Sequence, residues 1–149
     1  MHQINELYYL KSHFSKNLPL LRFSGFMNLT DSDLLLKSTD DQLKSIESIY
    51  LLLDGTRDIR RHRCILMTLD EAFNAIAEFS VIPELTEVST LLYIQKIQNL
   101  EIGLFPVLQI LVAATADIEL MSLLDTCFLH AKAGRSLFLN SISDYLIMN

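Results

Sequence analysis

The sequence predicts an all-α protein built from helical hairpins. Leu, Ile and Ala recur at three- and four-residue steps along most of the chain, which is the spacing of an amphipathic helix. Only four glycines and three prolines interrupt the 149 residues, and the hairpin dipeptide Asn-Gly does not occur. A chain of this length is one domain of ordinary size with room for its own hydrophobic core.

The first 55 residues predict two helices around a less regular segment. Residues 3–14 form an amphipathic segment, and residues 18–29 are either a short helix or a bridging loop, because Pro19 and Gly25 interrupt them. Thr39 followed by Gln42 resembles a capping box that opens a second helix, which Gly55 then ends.

A third helix is expected over residues 57–80, with a break near 68–70 as an open alternative. The adjacent Asp70 and Glu71 are explained by capping at a helix start. Pro83 then forces the chain out of helix.

The last third of the chain repeats itself. Residues 86–102, Gly103 and residues 104–114 predict one helix–glycine–helix unit, and residues 117–133, Gly134 and residues 135–147 predict a second. Paired helices that recur with such a period indicate stacked tetratricopeptide-like hairpins, and an ordinary bundle is the alternative. The expected organisation is one domain, with residues 1–55 as an N-terminal helical extension and residues 56–149 as the repeats.

Composition argues against several classes of function. The net charge of −6 argues against general nucleic-acid binding, and no apolar stretch is long enough to predict membrane insertion. A basic run at residues 57–63 could bind nucleic acid or an anionic lipid surface, but a solvated or salt-bridged helix face is the favoured interpretation. Cys64 and Cys127 are expected to be small buried hydrophobic residues in a reducing compartment.

No residue pattern predicts catalysis. The four histidines lack the spacing of a zinc site, and no glycine-rich loop could hold a phosphate, so we expect no enzyme activity, metal or cofactor. The high apolar content instead indicates an exposed groove or interface.

Three segments of the second half carry a family resemblance. They are the helix-pair sequence at residues 70–79, the Leu-rich helix at residues 91–100, and Asp117-Ile118-Glu119 followed by Leu123, Leu124 and Leu129. Together they resemble the YscG/PscG family of type III secretion chaperones, which are small tetratricopeptide-like proteins. The resemblance implies a bacterial cytoplasmic chaperone that binds the secretion needle subunit and prevents its premature polymerisation. It also implies a small helical co-chaperone as second partner.

The first helix of each pair faces the concave side of such a repeat, which predicts the residues that bind the partner. The candidates are Leu92, Tyr93, Lys96, Leu124 and Phe128. The alternative is that these side chains are simply core between helices. The alternative function is a non-enzymatic helical-bundle regulator or effector that binds another protein.

Overall fold

The computed structural model describes residues 2–21, 29–53, 55 and 60–148, apart from the side chains of Leu29 and Arg61. The described chain is all-α, as the sequence predicts, and contains no strand. The helices are α1 (His2–Asn17), α2 (Leu29–Leu52), α3 (Arg63–Glu78), α4 (Pro83–Ala113) and α5 (Ile118–Met148), with 3₁₀ turns at Leu18–Leu20 and Arg60–His62.

The predicted helix–glycine–helix units are wrong, because Gly103 lies inside α4 and Gly134 lies inside α5. A glycine inside a helix costs only about 0.5–1 kcal/mol relative to alanine, which a long buried face readily offsets. Each predicted hairpin is therefore a single 31-residue helix, and tetratricopeptide-like stacking is not confirmed.

The predicted start of α2 is also wrong. Helix α2 begins at Leu29, and Thr39 lies in its interior, where its hydroxyl donates to the carbonyl of Leu35 at 2.9 Å. The hydroxyl therefore bonds back to the preceding turn instead of capping a helix. The helix does end near Gly55, whose N–H donates to the carbonyl of Tyr50 at 3.0 Å.

Helix α3 runs unbroken through residues 68–70, so Asp70 lies in its interior and does not cap its start. Pro83 separates two helices, as expected, but does so as the first residue of α4. A proline is tolerated there because the first turn of a helix does not need its missing N–H. The uncertain segment at residues 18–29 begins with a 3₁₀ turn, and residues 22–28 lie outside the described part of the chain. Residues 57–59 of the basic run and the side chain of Arg61 also lie outside it.

The core consists of two hydrophobic clusters, and helices from both ends of the chain contribute to each. The first cluster joins α1 and α2 to the C-terminal half of α4 and the N-terminal half of α5, and includes Leu7, Ile46, Phe105 and Leu124. The second joins all five helices and includes Phe14, Leu35, Leu69, Tyr93 and Phe138. Helices α1 and α2 are therefore part of the core, and α2 packs along α5 over the most extensive helix–helix interface of the described chain.

A buried polar group connects four helices. The ammonium of Lys11 on α1 lies 3.3 Å from Oε1 and 3.4 Å from Oε2 of Glu101 on α4. Gln42 on α2 donates to the same carboxylate, and the thiol of Cys127 on α5 lies 4.0 Å from the Gln42 amide nitrogen. Both charges of the ion pair are almost completely buried, so each depends on the other for compensation.

Helix α4 is the one helix in the described residues that is long and apolar enough to cross a membrane. Its inner face, however, belongs to the core, because Tyr93, Ile94 and Ile97 are completely buried. Its Glu101 is paired with Lys11 of another helix. Helix α4 thus contributes one face to the core, and 33% of its most apolar window is buried.

We predict that Gly134 is required for the close approach of α5 to α2. A Cβ atom added at Gly134 would lie 3.3 Å from the Leu35 side chain and 3.5 Å from that of Ser38, whereas Gly103 has nothing within 4 Å. Gly134→Leu should lower the free energy of unfolding by about 1–3 kcal/mol through overpacking. Gly103→Leu is the matched control and should not lower it. Urea denaturation measures both, and equal effects would contradict the prediction.

We expect the double variant of the buried ion pair to be more stable than the variant that lacks only Glu101. Glu101→Leu alone leaves Lys11 buried without its carboxylate and should cost about 3–5 kcal/mol of unfolding free energy. The double variant Lys11→Met/Glu101→Leu removes both charges and should recover most of that loss. Chemical denaturation of the two variants provides the measurement. A double variant no more stable than the single one would show that the charges are not coupled.

Candidate helix-binding cleft

A cleft of about 640 Å³ lies between α3 and α4. Small side chains on α3, Ala72 and Ala75, leave space beside α4, and Phe79 closes one end of their row. The α4 side includes Leu92, Tyr93 and Lys96. The cleft therefore exists because one helix carries alanines where its neighbour carries large side chains.

A second, smaller cleft of about 330 Å³ lies between α4 and α5. Leu139 and Ile142 of α5 line it with Val88 and Leu92 of α4. Leu92 is one of the residues that line both clefts, so the two clefts share a ridge on α4.

Exposed apolar side chains continue this surface along α4. Leu85, Val88 and Leu92 follow one another at three- and four-residue steps and are 40%, 50% and 59% exposed. Residues at this spacing share one helix face, so they form a continuous apolar stripe. We call these three residues the α4 stripe. It accounts for part of the apolar surplus in the composition and is the kind of patch that marks an interaction site.

Tyr93 forms part of the cleft from below and is held by a hydrogen-bonded chain. Its hydroxyl lies 2.9 Å from Nδ1 of His13, whose Nε2 lies 2.9 Å from Oδ1 of Asp70. A carboxylate accepts only, so His13 donates through Nε2 to Asp70, and its Nδ1 pairs with the Tyr93 hydroxyl. Burial raises the pKa of Tyr93 well above its ordinary value, so the phenol stays neutral. Tyr93 is thus a fixed, uncharged wall of the cleft.

Three of the five predicted partner-binding residues, Leu92, Tyr93 and Lys96, line this cleft, although Tyr93 is completely buried in the second core cluster, as the alternative interpretation expected. Leu124 is only 1% exposed and belongs to the first core cluster, as the alternative interpretation expected. Phe128 is half-buried, with its ring centroid 4.9 Å from that of Phe105 and the Lys132 ammonium 4.2 Å above it. These two residues do not lie with the other three, because this part of α5 packs toward the first core cluster.

The cysteines differ from each other, and the expectation that both are buried is wrong for Cys64. Cys64 is exposed on α3, whereas Cys127 is buried on α5, and neither forms a disulfide. Burial, helped by the negative charge of Glu101, raises the pKa of the Cys127 thiol to about 12.

Distance along the chain concealed one histidine pair. The ring centroids of His2 and His62 lie 4.7 Å apart, although the rest of α1 and the whole of α2 lie between the two residues in the sequence. The signal available in the sequence was the four-residue spacing of His2 and Glu6, which places both on one face of α1.

Comparisons of the chain with models of protein families, with curated proteins and with solved structures find no match. The family resemblance noted above therefore stays a prediction.

We expect the two thiols to differ in reactivity, because Cys64 is exposed and Cys127 is buried. Iodoacetamide should label Cys64 readily in the native protein and Cys127 only after unfolding, because a buried thiol with a raised pKa supplies little thiolate. Mass spectrometry of labelled peptides measures this difference. Equal labelling of both sites in the native state would contradict the burial of Cys127.

The buried thiol of Cys127 should make the folded state less stable at alkaline pH. Its ordinary pKa of 9.0 rises to about 12 in the folded state, so the unfolded chain releases this proton first. Stability contributed by the neutral thiol is complete below pH 9.0 and is lost as the pH rises through about 12. Cys127→Ala should therefore lose less unfolding free energy than the wild type between those pH values, and Cys64→Ala should match the wild type.

Proposed function

We propose that this protein binds an amphipathic helix of another protein along the α4 stripe and the α3–α4 cleft, and that it is a chaperone without catalytic activity. The observation that carries the proposal is the cleft itself, with Leu92 59% exposed at its rim and Tyr93 completely buried beneath. A helix laid in an apolar groove uses anchors at the same three- and four-residue spacing that the stripe offers.

The size of the surface fits such a partner. A stable complex buries about 800 Å² on each side, more than the cleft alone supplies. The stripe and the second cleft extend the apolar area on both sides of Leu92, so a helix several turns long finds contacts along its whole face.

Charge indicates the chemistry of the partner. Lys96 lines the cleft, and it is one of only three basic residues after Arg63, whereas that part of the chain carries ten acidic ones. A half-buried ammonium at the edge of an apolar groove selects a carboxylate on the incoming helix. The expected ligand is therefore an amphipathic helix with leucine-like anchors and one acidic side chain beside them.

Within this class, the family resemblance favours the needle subunit of a type III secretion system as the ligand, with a small helical co-chaperone as second partner. An apolar needle helix would polymerise if it stayed exposed in the cytoplasm, and a groove of this kind would cover it.

Co-expression with any small helical proteins that neighbouring genes encode tests this proposal. The expected result is an equimolar, monodisperse complex, and the chain alone should self-associate through its apolar surface. A stable monomer that ignores every neighbouring helical protein would overturn the proposal.

A matched pair of variants locates the surface. Leu92→Asp should weaken the complex by about 30-fold or more, the effect of a 2 kcal/mol hot spot. Ile110→Asp is the control, because Ile110 is also exposed on α4, at 73%, but lies about 27 Å further along the helix. Isothermal titration calorimetry measures both affinities. Equal losses would place the binding surface elsewhere.

A charge reversal tests the contribution of Lys96. Lys96→Glu should weaken binding by repelling the acidic residue of the ligand helix, and exchanging that residue for lysine should restore affinity. Failure of the compensating exchange would remove Lys96 from the proposed interface.

A further inference from the structure

The start of α1 and the 3₁₀ turn before α3 meet at a cluster of three metal-ligand side chains. His2, Glu6 and His62 each offer one ligand atom, and these atoms all lie within 4.8 Å of one another. His2 and Glu6 come from the first two turns of α1, and His62 ends the 3₁₀ turn that precedes α3. We propose that these three residues form a binding site for a divalent transition metal, zinc by preference.

The spacing of the ligands fits a tetrahedral ion. With metal–ligand bonds of about 2.1 Å, two ligands of a tetrahedral zinc lie about 3.4 Å apart. Nε2 of His2 and Oε1 of Glu6 are already 3.5 Å apart, because a four-residue step stacks the two side chains on one helix face. The ligand nitrogen of His62 lies within 4.8 Å of both atoms, so a side-chain movement of about 1.4 Å would bring it to the tetrahedral spacing.

The packing around His62 aims it at this position. Its side chain is 2% exposed, and its ring lies against those of His2 and Tyr9, with centroid separations of 4.7 and 5.5 Å. His2, Glu6 and Tyr9 occupy successive turns of the same face of α1, so this face as a whole is turned toward the 3₁₀ segment. His62 is therefore fixed in place, while His2 and Glu6, whose side chains are 52% and 28% exposed, keep the freedom to adjust.

The ligand chemistry selects the metal. Two imidazoles and one carboxylate suit zinc and neighbouring first-row ions, and do not suit calcium or magnesium, which prefer all-oxygen sites. Three protein ligands leave a fourth position, and the exposure of His2 lets water occupy it. The bound ion would tie the start of α1 to the segment before α3, two parts of the chain that are remote in sequence, and so stabilise the folded state.

Zinc titration of the full chain, produced without a histidine tag and treated with a chelator, tests the site. The expected result is one bound zinc per chain by calorimetry. The Tm should also rise in zinc, because a ligand that binds only the folded state stabilises that state. His2→Asn and Glu6→Gln should each weaken binding by at least about tenfold. Both residues are partly exposed, so circular dichroism should show these variants folded.

Two control variants separate this site from other ligands. Cys64→Ser removes the exposed thiol two residues after His62, and His130→Asn removes a histidine on α5. Both should bind zinc as the wild type does, and cobalt-loaded protein should lack a thiolate charge-transfer band. The absence of stoichiometric zinc binding would overturn the proposal. Binding that survives His2→Asn and Glu6→Gln, or that is lost in Cys64→Ser, would also overturn it.

Discussion

The buried pair of Lys11 and Glu101 is the constraint on which the arrangement of the helices depends. A charge without a partner in the interior costs several kcal/mol, so α1 and α4 can pack only in the register that brings these two side chains together. Gln42 adds α2 to the same carboxylate, and Cys127 places α5 beside it. The polar group thus specifies one arrangement of four helices whose apolar faces alone would tolerate several.

The two hydrophobic clusters on either side of this polar group hold different sets of helices together. The first cluster closes the bundle around α2 and α5, and Gly134 lets the same two helices approach closely beside Leu35 of the second cluster. The second cluster seats α3 against α4 through Leu69 and Tyr93. Because α3 presents Ala72 and Ala75 toward α4, this second packing stays incomplete at the surface and leaves the cleft. The rigid core and the open groove are consequences of the same helix contact.

The proposed helix-binding surface and the proposed metal site make separate demands on the molecule. The cleft lies between α3 and α4, whereas the histidine cluster joins α1 to the turn that precedes α3. A metal ion at that turn would hold the start of α3 against α1, and Asp70 and His13 hold the same two helices together further along. Both contacts keep one wall of the cleft in position without occupying it.

The helical class, the end of α2 near Gly55, the interruption before Pro83 and the presence of Leu92, Tyr93 and Lys96 on one helix followed from the sequence, because each depends on local spacing and local backbone chemistry. The continuity of α4 and α5 did not, because a glycine weakens a helix only slightly and tertiary burial decides whether the helix continues. Gly134 weakens α5 slightly, but it leaves room for the side chain of Leu35, a residue nearly a hundred positions away. The burial of Leu124, the pairing of Lys11 with Glu101 and the meeting of His2 with His62 likewise depend on which helix faces come together, and only the tertiary structure determines that.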